Sequence, residues 1–211
     1  MTKQYNSAIF DWSNVCTMEG QSNPMSAYIA RELGLEKEIV KQIFKKVENP
    51  YVTGDITGKD FIIKILEELR IKYDKSTIQK LVPALTTAPT INTELLSYIS
   101  DLKNSVTTIL FSDNFLEMSK FVVQKYKLHN IFNHLVFSNH SKFRKPDHRY
   151  YKYMIKKTNI NPHQSIFVDD REKNLIPARN TGITTILFTS TKDTIKQIDK
   201  LLNLNSKGQT F

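Results

Sequence analysis

A carboxylate stands where the first apolar run of the chain ends. Ala8, Ile9 and Phe10 predict a short buried strand, and Asp11 follows where that strand should emerge into a loop. A carboxylate at such a position is costly to desolvate unless a cation or a hydrogen-bond donor meets it. The sequence therefore predicts that later segments supply partners for Asp11.

Three later segments carry suitable partners. Ser112 follows a second apolar run, Asp169 and Asp170 follow a third, and Lys145 lies in a polar stretch between them. The carboxyl ends of parallel strands share one edge of a sheet, which is where open α/β sheets bind ligands. We therefore expect a carboxylate nucleophile, a hydroxyl, a lysine and a carboxylate pair to converge at that edge.

The order of the elements predicts an α/β fold that can position these groups. Apolar residues recur at helical spacing in four segments between about residues 24 and 82, with no strand among them. Helices then alternate with four further strands, which predicts a parallel sheet of five core strands. We expect a core domain at residues 1–15 and 89–204, a helical domain at residues 16–88 and a flexible tail at residues 205–211.

Composition limits the classes of function. The chain has 211 residues and a net charge of +9, but its lysines are scattered along predicted helices and no nucleic-acid module is recognisable. A basic surface that attracts anionic substrates is therefore favoured over nucleic-acid binding. The single Cys16 excludes an internal disulfide and fits a reducing compartment. No apolar run has the length of a signal peptide or a membrane span, so we expect a soluble cytoplasmic protein.

The four segments, in this order, resemble the haloacid dehalogenase-like superfamily, whose members are mostly magnesium-dependent phosphatases. The resemblance covers nearly the whole chain apart from the tail and implies a Rossmann-like core with an inserted helical cap. Three motifs most resemble the branch that contains sugar-1-phosphate phosphatases and the N-terminal domain of soluble epoxide hydrolases: Phe-Asp-Trp-Ser-Asn-Val at residues 10–15, Arg-Lys-Pro-Asp at residues 144–147, and Val168-Asp169-Asp170 followed by Asn174, Ala178 and Gly182.

The resemblance implies a covalent reaction at Asp11 and a magnesium site. Asp11 is the implied nucleophile, which forms an aspartyl phosphate. The implied Mg²⁺ ligands are Asp11, the backbone carbonyl of Ser13 and Asp169, with Asp170 as a further contact or as an orienting group. An alternative role for Asp169 and Asp170 is to cap the helix that follows them.

Phosphate binding is implied for Ser112 and Lys145. The Ser112 hydroxyl can donate a hydrogen bond to a phosphate oxygen, although a serine after a strand is also a common helix cap. Lys145 supplies a positive charge that offsets the aspartate and the phosphate together. Arg144 and Lys142 are nearby competitors for that role, and a solvated basic loop is the alternative interpretation. Pro146 is expected in the first turn of a helix.

Two residues depart from the pattern common in the superfamily. Ser13 stands where most members have a second aspartate that protonates the leaving oxygen and later activates water. Such a group is typically worth about 10²–10⁴-fold in rate, so its loss should slow reactions with poor leaving groups; Glu19 is the nearest carboxylate in sequence. Asp113 follows Ser112 where this branch commonly has asparagine, and it would repel a phosphate if its carboxylate pointed toward the phosphate.

We therefore expect a Mg²⁺-dependent phosphatase acting on a small phosphorylated metabolite of the sugar phosphate or nucleotide class. The alternative is a catalytically weak or inactive member that binds a phosphorylated ligand or a protein partner. A dehalogenase is a third hypothesis, and it is less favoured because dehalogenation does not need the metal-binding pair Asp169 and Asp170. Trp12 is expected to pack rather than to stack on substrate. The five histidines are expected on the surface or in structural roles, although His140 and His148 flank the Lys145 loop.

Overall fold

Five parallel strands form a single sheet in the computed structural model, which describes residues 4–20 and 22–204. The strands are β1 (Ser7–Phe10), β2 (Thr107–Ser112), β3 (His134–Phe137), β4 (Ser165–Asp169) and β5 (Thr184–Leu187). Their spatial order is β3-β2-β1-β4-β5, so β1 lies at the centre between β2 and β4. The expected α/β fold with five core strands is confirmed. The predicted tail at residues 205–211 lies outside the described residues.

Helices cover the sheet and fill the segment between β1 and β2. That segment contains α1 (Ser22–Leu33), α2 (Lys37–Val47), α3 (Asn49–Val52), α4 (Gly58–Glu68), α5 (Lys75–Leu81) and α6 (Thr93–Leu102), with a 3₁₀ turn at Val82–Thr86. The later helices are α7 (Leu116–Lys125), α8 (Leu128–Ile131), α9 (His148–Thr158), α10 (Glu172–Asn180) and α11 (Thr191–Leu202). Among the helices of the described ranges, none is long and apolar enough to cross a membrane.

Both faces of the sheet are buried, as parallel sheets require. Alternate residues of a strand point to opposite faces, so β1 to β4 each contribute to two separate apolar clusters. One cluster joins the sheet to α9 and includes Ile9, Ile109, Phe111, Phe167, Tyr150, Tyr151 and Met154. The other lies on the opposite face and includes Ala8, Phe10, Leu110 and Val168. This packing fixes the strand ends relative to one another.

Prolines lie at the boundaries of two helices. α2 ends at Val47, just before Asn49-Pro50, and Pro50 lies in the first turn of the separate helix α3, where its missing N–H has no helical partner to lose. Pro146 was expected inside the first turn of α9, but that helix begins at His148. Its start is set by Asp147, whose carboxylate accepts a hydrogen bond from the Arg149 backbone N–H at 2.9 Å.

The helices between β1 and β2 contact the segments that follow β2 and β3 through ring stacking and hydrogen bonds. The Tyr51 ring of α3 stacks on Phe115 with centroids 4.4 Å apart and planes at 4°. The Tyr51 hydroxyl donates to Glu117 Oε2 at 2.7 Å, and the Gly58 backbone N–H donates to Glu117 Oε1 at 3.0 Å. The Ser138 hydroxyl donates to the Val52 carbonyl at 2.7 Å. These contacts hold the insertion close to the carboxyl ends of β2 and β3. The division into two domains at residues 16 and 88 stays a prediction.

Candidate active site

Asp11 lies at the carboxyl end of the central strand and is only 2% exposed. Its backbone N–H donates to the Val168 carbonyl at 3.0 Å, which extends the pairing of β1 with β4 by one residue. The chain then turns sharply: Ser13 is extended, Asn14 has a φ of 61°, and the Thr17 N–H closes the turn on the Trp12 carbonyl at 3.0 Å. Asparagine tolerates this left-handed conformation better than most residues. The turn brings Asp11, Ser13 and Asn14 to the wall of one cavity.

Lys145 is the buried cation at the centre of the site. Its Nζ lies 2.6 Å from Asp11 Oδ1 and 2.8 Å from Asp169 Oδ2, and it donates to the Phe111 carbonyl at 3.2 Å. The side chains of Lys145 and Asp169 are fully buried. An ammonium group in such a place is retained only because it is paired and hydrogen-bonded. The expected convergence of Lys145 with both carboxylates is therefore present, whereas Arg144 and Lys142 form other ion pairs.

The pKa values of Asp11 and Lys145 are both raised by their surroundings. Burial raises the pKa of Asp11 from 3.8 to about 7; Lys145 opposes this rise and the Asp169 carboxylate adds to it. Burial by itself lowers the pKa of Lys145, but the carboxylates of Asp11 and Asp169 outweigh burial and bring its pKa above the ordinary value. Lys145 therefore keeps its positive charge at neutral pH.

Three carboxylates form a group that fits a divalent metal ion. One carboxylate oxygen from each of Asp11, Asp169 and Asp170 lies within 4.8 Å of the others. Asp11 Oδ2 and Asp170 Oδ1 are buried and have no hydrogen-bond partner among the described residues. Hard divalent cations such as Mg²⁺ bind carboxylate oxygens in this kind of arrangement. The residues present therefore fit the expected Mg²⁺ site, in which these two oxygens would be ligands; Asp170 Oδ1 also has a long ion pair with Arg171 Nε at 3.8 Å.

Asp169 and Asp170 are held by groups that the sequence did not single out for this purpose. Asp169 Oδ1 accepts hydrogen bonds from the Arg171 backbone N–H at 2.9 Å and from Asn174 Nδ2 at 2.8 Å. Asp170 Oδ2 accepts from Asn14 Nδ2 at 3.0 Å. Asn174 appeared in the sequence only as part of a motif. Its contact shows that it orients Asp169, a role typical of residues behind a metal ligand.

Asp113 turns its carboxylate to the Lys145 loop. Oδ1 accepts from the Lys145 backbone N–H at 3.0 Å, and Oδ2 lies 3.4 Å from Arg144 Nε. Arg144 also reaches Glu48 at 3.1 Å, so its guanidinium bridges the insertion and the sheet side. The charge of Asp113 is thus offset by Arg144, and its carboxylate positions Lys145. This orientation could not be predicted from the sequence, because it depends on the contact of Asp113 with Arg144, 31 residues later in the chain.

Ser112 lies at the carboxyl end of β2 and is completely buried. Its hydroxyl is 3.4 Å from the Asp113 carbonyl, and its own carbonyl accepts from the Tyr150 hydroxyl at 2.8 Å. The strand end therefore lies where expected. Phosphate binding by the Ser112 hydroxyl, and Mg²⁺ binding by the Ser13 carbonyl, stay predictions.

A cavity of about 370 Å³ opens above these groups. On the sheet side its lining includes Asp11, Ser13, Asn14, Asp113, Phe115, Arg144, Asp170 and Arg171, and on the insertion side Gly20, Asn23, Lys41, Phe44, Lys45, Glu48 and Val52. The cavity is thus bounded by both parts of the chain, and its volume lies at the small end of the usual range for ligand pockets, about 300–1,000 Å³.

Several candidate residues from the sequence are not among those that line this cavity. Trp12 is fully buried and packs on Tyr126 with ring centroids 6.0 Å apart, in agreement with a packing role. Burial raises the pKa of Cys16, so this thiol stays protonated at neutral pH. The His148 side chain is 70% exposed. Glu19 does not itself line the cavity, but its Oε2 accepts a hydrogen bond at 3.4 Å from Nδ2 of Asn23, which does.

Comparison with known proteins identifies the family. The family model described as haloacid dehalogenase-like hydrolase matches residues 13–188. The chain is a haloacid dehalogenase-like hydrolase. Asp11 lies two residues before the matched region, so its place in the site rests on the contacts described above.

The relatives and solved structures of this hydrolase agree with that identification. The bifunctional epoxide hydrolase 2 of Sus scrofa is 23% identical over 92% of the chain, and the chain spans 38% of its length. A family enzyme from Bacteroides thetaiotaomicron has a TM-score of 0.75 at 18% identity, covering 93% of this chain and 99% of its own. The L-2-haloacid dehalogenase of Xanthobacter autotrophicus has a TM-score of 0.68 at 13% identity, covering 100% and 92% respectively. At these identities the structural matches show a common fold.

Proposed function

We propose that this hydrolase is a Mg²⁺-dependent phosphatase that acts on a small phosphorylated metabolite through an aspartyl phosphate on Asp11. The observation that carries the proposal is the charge balance of the site. Asp11, Asp169 and Asp170 contribute three carboxylates; the Lys145 ammonium lies between two of them, and the Arg171 guanidinium is 3.8 Å from Asp170 Oδ1. A divalent cation held by Asp11 and Asp170 would neutralise the remaining negative charge and offset that of an incoming phosphate.

The structural relatives include a member with the expected ligands. The Bacteroides thetaiotaomicron family enzyme has been solved in complex with magnesium and inorganic phosphate, and that structure has a TM-score of 0.67 to this chain. Both groups are what a magnesium-dependent phosphatase handles. The L-2-haloacid dehalogenase matches with a similar TM-score of 0.68, so the choice between phosphatase and dehalogenase rests on the residues of the site.

The aspartate pair also favours phosphoryl transfer over dehalogenation. When a carboxylate displaces a halide, no multiply charged group approaches the nucleophile. Dehalogenation therefore needs no metal ion and no second carboxylate to bind one. A phosphate dianion approaching Asp11 is repelled unless the nucleophile and the phosphate share a cation. Asp170 Oδ1 has no hydrogen-bond partner among the described residues. It would bind the metal ion in a phosphatase, whereas a dehalogenase gives it no such role.

Within the proposed mechanism, Asp11 is the nucleophile. One of its carboxylate oxygens forms a bond to phosphorus while the bond from phosphorus to the leaving oxygen breaks. Lys145 keeps Asp11 ionised and oriented, and Asp113 holds the Lys145 backbone. Bound Mg²⁺ supplies charge neutralisation on the transferring oxygens. Water then attacks phosphorus, so that inorganic phosphate leaves and the Asp11 carboxylate is restored.

The leaving oxygen needs a proton, and Ser13 is a poor donor of one. A hydroxyl does not ionise near neutral pH, so the proton comes from solvent or from the substrate itself. We expect the rate to depend strongly on how well the leaving group tolerates negative charge. A catalytically weak protein that holds a phosphorylated ligand is the second candidate, and Ser13 on the cavity wall is the observation that favours it.

Phosphate release from a panel of compounds tests the proposal. The panel contains sugar phosphates, nucleotides and an activated aryl phosphate, each assayed with Mg²⁺ and with EDTA. We expect Mg²⁺-dependent release, fastest from the aryl phosphate. If no compound releases phosphate from a folded protein that binds Mg²⁺, the ligand-binding alternative replaces the phosphatase.

A further inference from the structure

One face of α2 forms the wall of the cavity opposite the carboxylates. Residues 41, 44, 45 and 48 line the cavity, and their spacing of three, four and seven places them on a single helical stripe. The stripe reads Lys41, Phe44, Lys45, Glu48. Its apolar member Phe44 is fully buried and meets Phe115 with ring centroids 5.8 Å apart. This contact fixes the rotation of α2 and hence the direction of the stripe.

Of the two lysines of this stripe, one has a single long ion pair and the other has none with a described residue. Glu48, the acidic member of the stripe, is engaged by Arg144 at 3.1 Å. Lys41 has one distant partner, Glu38 at 3.8 Å, whose side chain is 68% exposed. Lys45 has no ion pair with any residue that the structure describes. The wall therefore presents two positive charges one helical turn apart.

We propose that Lys41 and Lys45 bind a second anionic group, carried by the leaving portion of a phosphomonoester substrate. The inference rests on the proposed function, because the transferred phosphoryl group is assigned to the opposite wall near Asp11. Phe44, Val52 and Phe115 form the apolar part of the cavity lining between the two walls, and Val52 and Phe115 each keep 3% of their surface exposed. The cavity of about 370 Å³ suits a compact substrate. The substrate class is a small phosphorylated acid or a small bisphosphate.

The arrangement also explains how a strongly basic protein selects an anionic ligand at one place. A net charge of +9 attracts anions to the whole surface, but it does not distinguish one phosphate ester from another. Lys41 and Lys45 on the cavity wall would distinguish them, because they meet the second anionic group of a substrate whose phosphate is engaged at the other wall. The preference should therefore appear in kcat/KM between matched substrates.

Matched pairs of compounds test the inference. 3-Phosphoglycerate and glycerol 3-phosphate differ by a carboxylate against a hydroxymethyl group; fructose 1,6-bisphosphate and fructose 1-phosphate differ by a second phosphate. Charge-assisted hydrogen bonds typically favour the charged partner enough to give about a tenfold difference in kcat/KM per pair at a partly exposed site. The pair with the larger ratio identifies the second group as carboxylate or phosphate.

Variants of α2 assign the preference to the two lysines. We expect the double variant Lys41→Gln/Lys45→Gln to bring the ratio of kcat/KM between the charged and the neutral member of each pair close to one. Lys41→Arg/Lys45→Arg should retain the preference. Lys46→Gln is the matched control, because Lys46 lies on the same helix but pairs with Glu68 away from the cavity. Equal ratios in wild type and in the double glutamine variant overturn the inference.

The failure of this inference is distinguishable from failure of the proposed function. If wild type hydrolyses both members of each pair equally well, the phosphatase stands and the second anion site is wrong. If no compound is hydrolysed, the phosphatase is wrong, and calorimetric binding of the same pairs with Mg²⁺ present decides the inference. Tighter binding of the doubly anionic member that is lost in the double glutamine variant supports the site; equal affinities overturn it.

Discussion

Replacement of Lys145 by methionine should destabilise the protein strongly and in a pH-dependent way. Methionine has a similar length and an apolar end, so Lys145→Met removes the charge and leaves little cavity. Asp169 keeps its bonds from Asn174 and from the Arg171 N–H. Asp11 loses the ammonium 2.6 Å from Oδ1 and stays buried without a protein donor.

The magnitude follows from that burial. Breaking one side of a buried ion pair typically costs about 3–5 kcal/mol of the free energy of unfolding. We expect about 3 kcal/mol at pH 8, the low end, because Asp169 remains satisfied. Burial raises the pKa of Asp11 above its unfolded value of 3.8, to about 7. An acid shifted upward contributes stability at low pH that is lost as pH rises through the folded pKa. Lys145 lowers this pKa, so its removal raises the pKa of Asp11 further, and the variant keeps losing stability above pH 7 where the wild type no longer does. The difference between Lys145→Met and wild type should therefore be smaller at pH 6 than at pH 8.

Urea unfolding in EDTA at both pH values measures these free energies. Lys142→Met is the matched control: its side chain is 56% exposed and pairs with the exposed Asp55, so we expect a change within about 1 kcal/mol. A Lys145→Met variant that is also within about 1 kcal/mol of wild type at pH 8 would refute the reasoning, because such a result is incompatible with a buried, uncompensated Asp11.

Three further predictions concern the metal, the leaving group and the insertion. Mg²⁺ affinity measured by calorimetry should weaken as pH falls below about 7, because a proton on Asp11 competes with the metal; affinity independent of pH between 6 and 8 would contradict this. Ser13→Asp should raise kcat for sugar phosphates by about 10²-fold and change the aryl phosphate rate far less; equal changes would show that Ser13 does not limit protonation. Gly54→Ala should lower the melting temperature more than Gly34→Ala, because both glycines have positive φ but only at Gly54 would a Cβ lie 2.5 Å from the Asn139 carbonyl. Equal losses would exclude that steric contact.

Sequence patterns were sufficient for the parts of the fold that local chemistry determines. Apolar runs that end in a carboxylate located β1 and β4, and both lie beside each other with Asp11 and Asp169 at the same edge of the sheet. The five-strand parallel sheet followed from the alternation of strands and helices. Short elements were missed, such as the four-residue α8, because four residues show no helical period.

Contacts between the insertion and the sheet could not be read from the sequence. The rotation of α2 decides whether Lys41 and Lys45 face the cavity or solvent, and aromatic packing on Phe115 sets that rotation. The direction of the Asp113 carboxylate depends on Arg144, which in turn is bound to Glu48. Each of these outcomes depends on a pair of residues distant in sequence, and one sequence taken alone carries no signal of such pairing.

The most direct test of the central claim is phosphate release by Asp11→Asn. Asparagine preserves the shape of the side chain but removes the nucleophilic carboxylate and one metal ligand. Asp55→Asn, on the exposed surface, is the control. With the best substrate of the panel and saturating Mg²⁺, we predict that wild type and Asp55→Asn release phosphate and that folded Asp11→Asn does not. Undiminished Mg²⁺-dependent release by Asp11→Asn would contradict the account.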